Sequence, residues 1–206
     1  MSLADARLYG IVDLGYVAAP EAVTATESLL AGGVDLIQLR AKGQPVGLVA
    51  DLAREIHAKT SAAGVPLILN DYPALLREVP CEGAHVGQDD QTVAEARAAA
   101  GRPCLIGKST HSVEQAVAAG AEGADYIGFG PLFATPTKPG RPAIGLEEIR
   151  RVHELVQIPI FCIGGIKLEN LPRVVEAGAQ RVVMVSGWLR AADVAGAVRA
   201  AGNVLA

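Results

Sequence analysis

The sequence predicts an α/β fold, a single-domain (β/α)8 TIM barrel over residues 1–206, on three observations. Short β-type apolar runs recur along the whole chain. Alanine-rich, helix-compatible stretches separate them, so strand and helix alternate throughout. The length of 206 residues falls near the lower end of the size range of that fold. An open doubly wound sheet is the alternative, but eight units of about 26 residues fit the length, and closing the sheet removes both of its edges.

The elements follow in order. "LYGIV" (8–12) is the first strand, and "EAVTATESLLAGG" the helical stretch after it, stopped at Gly33. "LIQLR" (36–40) leads to "VGLVADLAREIHAKTSAAG", which stops at Gly64. "LILN" (67–70) is followed by "PALLREV", a short link for a helix, and then by "GAHV" (83–86) and "TVAEARAAAG". "LIGKS" (105–109) precedes "SVEQAVAAGAEG", where Gly120 reads as the stop. "YIGFG" (126–130) runs into a loop, then "GLEEIRRVHELV". "IFCIG" (160–164), "LENLPRVVEAGA" with its stop at Gly178, and "VVMVS" (182–186) complete the eight units. Glycine at these positions fits the left-handed residue that commonly ends a helix.

Composition narrows the function. The 50% hydrophobic content implies a large buried core. The formal charge is −4, from 18 Lys+Arg against 22 Asp+Glu, so a broadly basic nucleic-acid footprint is absent and any anion site is local. No apolar run approaches the ~18 residues of a membrane span, and "MSLADARLYG" lacks a basic segment followed by an apolar one, which makes a cytoplasmic location the expectation. Cys81, Cys104 and Cys162 have neither paired-thiol nor zinc-ligand spacing, so neither a disulfide nor a zinc site is expected. The partners expected are small molecules, without nucleic acid or membrane, and a homo-oligomer is compatible with the sequence.

In a barrel the loops that follow the strands converge on one rim, where the fold places chemistry. Polar residues gather at those positions. The period of two puts Gln38, Arg40 and Lys42 of "QLRAK" on one side and Ile37 and Leu39 on the other, so two cations face the barrel mouth. Polar groups ending an apolar strand need partners, which an anionic substrate would supply. Asn70 and Asp71, then Asp90 of "GQDD", follow adjacent strands; two carboxylates beside two cations suit Mg²⁺ bridging protein and phosphate oxygens, although Asp90 also fits a helix cap for "QTVAEARA". Gly164 and Gly165 of "IGG", with Ser186 and Gly187 of "VSG", stand where barrels often bind phosphate. His111 in "STHS" is the histidine best placed for chemistry, whereas a hydrogen-bonded structural role suits His85. The loop "GPLFATPTKPGRPAIG" (130–145) combines hydroxyls, a lysine and φ-restricting prolines without periodicity. Gly140 and Arg141 would let that segment close as a lid.

Taken together, "IQLRAK", "LILNDY", "GAHVGQDD", "IGKSTHS", "GADYIGFGPLFATPTKPG", "IGGI" and "VMVSG" resemble the thiamine-phosphate synthase family from the second strand to the eighth, with "GPLFATPTK" the most diagnostic piece. The resemblance implies a Mg²⁺-using (β/α)8 enzyme. It would join 4-amino-2-methyl-5-hydroxymethylpyrimidine diphosphate to 4-methyl-5-(2-phosphonooxyethyl)thiazole, giving thiamine phosphate and pyrophosphate by a dissociative route. By motif, Gln38, Arg40, Lys42, Asn70 and Lys138 would hold the pyrimidine diphosphate, and Asp71 and Asp90 the metal. Ser109, Thr135, Thr137, Gly165, Val185 and Ser186 would form the thiazole-phosphate side. The catalytic set so implied is Arg40, Lys42, Lys138 and Ser109. Ala84 and Gly187 depart from the residues usual in that family. A thiazole tautomerase-like barrel working through His111, a noncatalytic barrel that binds a thiamine precursor, and a sugar-phosphate isomerase or epimerase are the rival readings. The diphosphate and metal set favours the synthase.

Overall fold

The computed structural model describes residues 3–135 and 142–205. Its strands are β1 (Leu8–Asp13), β2 (Leu36–Arg40), β3 (Leu67–Asn70), β4 (Gly83–Val86), β5 (Leu105–Thr110), β6 (Tyr126–Phe129), β7 (Ile160–Ile163) and β8 (Val182–Met184). Each pairs in parallel with its neighbours in the chain, and β8 returns to β1 through Leu8↔Val182, Tyr9↔Val183 and Gly10↔Met184, which closes the barrel.

Around it lie α1 (Ala22–Gly32), α2 (Val46–Ala62), α3 (Val93–Ala100), α4 (Val113–Ala121), α5 (Ile149–Leu155), α6 (Leu171–Glu176), α7 (Ser186–Leu189) and α8 (Val194–Leu205). Several boundaries have identifiable causes. Thr92 caps α3 by accepting from the Glu95 amide while Glu95 reaches back to the Thr92 amide, a reciprocal arrangement that satisfies two orphan donors. Gly33, Gly64 and Gly178 adopt positive φ after their helices, as expected, but Gly120 lies inside α4 and Gly123, at φ 84°, makes that turn instead. "PALLREV" contains only a 3₁₀ turn, Pro73–Arg77. α6 starts at Leu171, later than apolar spacing alone implies, because the Asn170 side chain accepts from the Lys167 amide in a turn and Pro172 fits the first helical positions. Past β8, where periodicity marks only the end of a strand, the chain adds α7 and α8; Gly32 lets α8 close on α1, since a Cβ there would stand 2.5 Å from Val198 Cβ.

The strand period of two separates two apolar compartments. Ile37, Leu39, Leu67, Leu69, Ile127 and Cys162 point outward and pack under the helices. Tyr9, Leu36, Ile68, Tyr126, Phe161 and Val183 fill the lower barrel interior. Above that inner layer the inward positions change character, to Gln38 and Arg40 on β2, Asn70 on β3, His85 on β4 and Ser109 on β5.

At the opposite rim, where the strands begin, three acidic residues terminate the sheet. The Asp35 carboxylate accepts from the Arg7 and Leu8 amides at 2.7 and 2.9 Å, Glu82 from the Leu67 amide at 2.7 Å, and Asp125 from the Ile106 amide at 2.7 Å. Each acid stands just before an even-numbered strand and ties down the start of the strand before it. Asp125 also pairs with Arg97 and Glu82 with His57, so these carboxylates find their partners within the chain.

Candidate active site

The site is built from the last inward residue of each strand and the loop beyond it. Arg40 ends β2, and its Nη1 donates to both carboxylate oxygens of Asp13, at 3.1 and 2.9 Å. Asp13 ends β1 and is 1% exposed, so the ion pair is fixed from below and the guanidinium retains other donors for a ligand. The partner expected from an anionic substrate is thus partly supplied by the protein. Asp13 was not singled out in the sequence, though the signal is the one that marks Arg40: a charged residue closing an otherwise apolar strand. Gln38 is likewise partnered inside, donating from Nε2 to the Tyr9 hydroxyl at 2.6 Å.

Asp71 follows β3 in the left-handed region, at φ 65°. A non-glycine residue there costs on the order of 1–2 kcal/mol, and aspartate is among those that tolerate it. The Asp71 amide donates to the His85 carbonyl at 2.9 Å, and the turn brings its carboxyl beside that of Asp90. Burial above all, then the Asp90 charge, raises the Asp71 carboxyl above its ordinary range; the nearby Lys42 and Arg40 charges oppose the rise. Asp90 does not cap the next helix, a role taken by Thr92, but folds back to accept from the Gly87 amide at 2.8 Å. Two carboxylates so crowded that one tends to keep its proton are a donor set that a divalent cation would relieve. Among the described residues no group of three or more His, Cys, Asp or Glu side chains gathers for a metal, so the remaining ligands of a magnesium ion would be waters and phosphate oxygens.

Ser109, at the end of β5, lies with its Oγ 2.9 Å from His85 Nε2. His111 follows, its Nδ1 donating to the Gly130 carbonyl at 2.5 Å, which sets the ring against the base of the 130–145 loop. That loop is clipped at both ends: Leu132 and Phe133 donate backbone bonds to Ile163 and Gly164, and Ile144 donates to Pro131 on the return. Gly164 and Gly165 have φ of 101° and 67°, and a Cβ would stand 2.4 Å from Pro131 Cα at the first and 2.7 Å from Phe133 Cβ at the second. Their glycine requirement therefore comes from the loop that crosses them as well as from any ligand.

These residues surround one cavity that opens to solvent at the rim. Of the candidate residues, Gln38, Arg40, Asn70, Ser109, Thr135, Gly165, Val185 and Ser186 line it. Lys42 is exposed on the loop past β2 and does not reach the wall, although its charge acts on Asp71. Asp71 and Asp90 stand beside the cavity rather than on its lining. Thr137 and Lys138, with the lid residues Gly140 and Arg141, lie outside the described residues. Asp13 joins the site without having been singled out in the sequence, and His111, expected as the histidine best placed for chemistry, lines the cavity.

The chain is similar to known proteins over most of its length. A family model described as thiamine monophosphate synthase matches residues 8–188. A thiamine-phosphate synthase of Thermus thermophilus is 47% identical over 177 residues, covering 85% of this chain and 84% of that protein. One of Gloeobacter violaceus is 42% identical over 191 residues, 93% of this chain, which spans only 55% of that relative's length. Among solved structures, a thiamine phosphate pyrophosphorylase from Pyrococcus furiosus superposes with a TM-score of 0.87 at 29% identity, covering 97% of this chain and 95% of that one. A 3-hexulose-6-phosphate synthase, at 19% identity and TM-score 0.67, shares the barrel fold.

Proposed function

The chain belongs to the thiamine monophosphate synthase family, and from that membership we propose that it is a transferase joining 4-amino-2-methyl-5-hydroxymethylpyrimidine diphosphate to 4-methyl-5-(2-phosphonooxyethyl)thiazole, with formation of thiamine phosphate and release of pyrophosphate. The observation that carries the reading is the convergence of Gln38 and Arg40 from β2, Asn70 from β3 and Ser109 from β5 on one cavity, with the Asp71–Asp90 pair at its edge.

The chemistry asks for a site that stabilises a leaving group rather than one that abstracts a proton. As the C–O bond to the diphosphate breaks, negative charge grows on the departing pyrophosphate. Arg40, held by Asp13, meets that charge without having to reorganise, and Lys42 adds a second positive charge at the rim. A preorganised donor of this kind is worth roughly 2.7–4 kcal/mol in the transition state. Asp71 and Asp90 would hold Mg²⁺, which when bound neutralises part of the diphosphate charge. Gln38 and Asn70 orient the pyrimidine. Ser109, Thr135, Gly165, Val185 and Ser186 hold the thiazole phosphate so that its ring nitrogen faces the carbon that loses the diphosphate, supplying the proximity contribution. The apolar walls Ile11, Ile163 and Ile166 limit access of water to the electron-poor carbon. Thr137 and Lys138 belong to the same proposal by motif, on the phosphate side. Among the described residues no helix is long and apolar enough to cross a membrane, and a cytoplasmic location fits substrates of this kind.

Incubating the purified protein with both substrates and Mg²⁺ tests the reading. Thiamine phosphate and pyrophosphate should appear in equal amounts. Conversion of the thiazole alone would instead indicate a tautomerase working through His111, and binding without any product a noncatalytic sensor.

A further inference from the structure

At the floor of the cavity five side chains from five strands form one unbroken line of hydrogen bonds. Gln38 Nε2 on β2 donates to the Tyr9 hydroxyl on β1 at 2.6 Å; the Tyr9 and Tyr126 hydroxyls are 3.0 Å apart; Tyr126 is 3.2 Å from His85 Nδ1; and His85 Nε2 is 2.9 Å from Ser109 Oγ. The barrel interior is shaped to admit this line. Gly107, inward on β5, has no side chain where a Cβ would stand 2.1 Å from Tyr126 Cζ and 2.5 Å from His85 Nδ1. Phe161 braces both tyrosines edge-on, with ring centroids 5.3 and 5.7 Å away. Burial raises both phenols above their ordinary range, so each keeps its single proton.

The proton count then fixes a direction. Gln38 Nε2 can only donate, so it occupies the Tyr9 oxygen as an acceptor. The Tyr9 proton serves the bond to Tyr126, and the Tyr126 proton serves the bond to His85 Nδ1. His85 must accept at Nδ1 and therefore carries its proton on Nε2, facing Ser109. A charged imidazolium does not fit: with both ring nitrogens donating, each tyrosine proton would turn back until that of Tyr9 met the Gln38 amide, donor against donor. Accepting from His85, the Ser109 oxygen cannot also give its proton to that ring, so the proton is directed away from the relay. A serine hydroxyl 2.9 Å from an imidazole resembles a nucleophile and its base, but the proton count makes the imidazole the donor.

We propose that Tyr9, Tyr126 and His85 are positioning residues whose one-way hydrogen-bond relay makes His85 a donor to Ser109, leaves the Ser109 proton to be given outside the relay, to an anionic phosphate oxygen of the bound substrate on the assignment above, and bars His85 from acting as the base of Ser109. The rate effect rests on the proposed synthase function, whereas the direction of the relay does not. In the substrate complex, polarisation of Ser109 by the His85 N–H strengthens the bond it donates. Loss of a direct donor to developing charge costs roughly 10²–10³ in rate, so weakening one through the relay should cost about tenfold.

Full-length protein labelled with ¹⁵N-histidine, examined by long-range ¹H–¹⁵N correlation at neutral pH with the His85 signal assigned from a His85→Gln sample, reads the tautomer directly. The relay predicts a neutral ring protonated at Nε2. Tyr126→Phe, which keeps the ring and removes the proton donated to Nδ1, should give a mixed tautomer and a kcat lower by about tenfold with the fold intact. Tyr9→Phe, one link further away, should act in the same sense and less strongly. Protonation at Nδ1 in the unaltered protein would overturn the proposal, since it means that the line runs toward Gln38. So would a Tyr126→Phe protein with unchanged tautomer and kcat. A correct tautomer in a protein that forms no thiamine phosphate would sustain the relay and refute the proposed function.

Discussion

The two rims of the barrel use the same residue types to opposite ends. Where the strands begin, Asp35, Glu82 and Asp125 spend their carboxylates on strand amides, and Arg97 and His57 complete two of the three, so charge is consumed in holding the sheet. Where the strands end, Asp71 and Asp90 crowd one another, Arg40 is steadied by Asp13 with donors to spare, and Lys42 stands exposed beside them. The first rim is electrostatically closed and the second is open, which suits the metal and the anion proposed for it. A carboxylate in a barrel rim is therefore informative less by its presence than by whether the chain itself satisfies it.

Breaking the open rim should give the largest effect. Arg40→Ala is expected to lower kcat at least tenfold, and up to about a thousandfold, as loss of a donor to a leaving group does. Because that change also strands the buried Asp13 carboxylate, the double variant Asp13→Asn with Arg40→Gln serves as its partner: it keeps an amide contact at the site and should be nearly as slow, which assigns the loss to charge rather than to unfolding. Steady-state turnover with circular dichroism as the check on folding separates the two.

Asp71→Asn should come next, with a weaker magnesium dependence and turnover lower by about tenfold. The unaltered protein should also show a pH effect of definite sign. Since burial and Asp90 raise the Asp71 carboxyl, magnesium must displace a proton at pH values just above the ordinary carboxylate range. Affinity should therefore rise as pH climbs through the raised Asp71 range, and Asp71→Asn should flatten that dependence; isothermal titration across the window measures both.

The closed rim should respond in stability alone. Asp125→Asn weakens the acceptor shared by the Ile106 amide and Arg97 and should cost about 1–3 kcal/mol. Chemical denaturation should show that loss while kcat of the folded protein stays within about twofold, a change too small to reflect a lost transition-state contact. A large fall in kcat would erase the distinction between the rims.

Much of the fold was legible because it depends on periodicity. The outward Ile37 and Leu39 and the inward Gln38 and Arg40 follow from alternation alone, and the strand limits of "LIQLR", "LILN" and "GAHV" were readable to the residue. Helix ends were less so: Gly120 and Gly123 are equivalent as letters, and only packing decides which one turns. α8 escaped notice because its interleaved glycines hide a helix whose role is to cover α1. The candidate site was readable where a polar side chain ends an apolar strand, which identifies Arg40 and Ser109 and applies equally to Asp13. It was not readable where one residue's role is set by another far away in the chain. Nothing local says that Asp13 will meet Arg40, that Asp90 will bond Gly87 rather than cap a helix, or that the glycine at 107 leaves space for Tyr126 and His85.

A single-turnover experiment on Arg40→Ala and Asp125→Asn, run side by side at saturating magnesium and substrates, tests the contrast most directly. With thiamine phosphate and pyrophosphate quantified together, Asp125→Asn should form both at close to the unaltered rate and Arg40→Ala at least tenfold more slowly. Equal rates in the two variants would contradict the assignment of catalysis to the open rim.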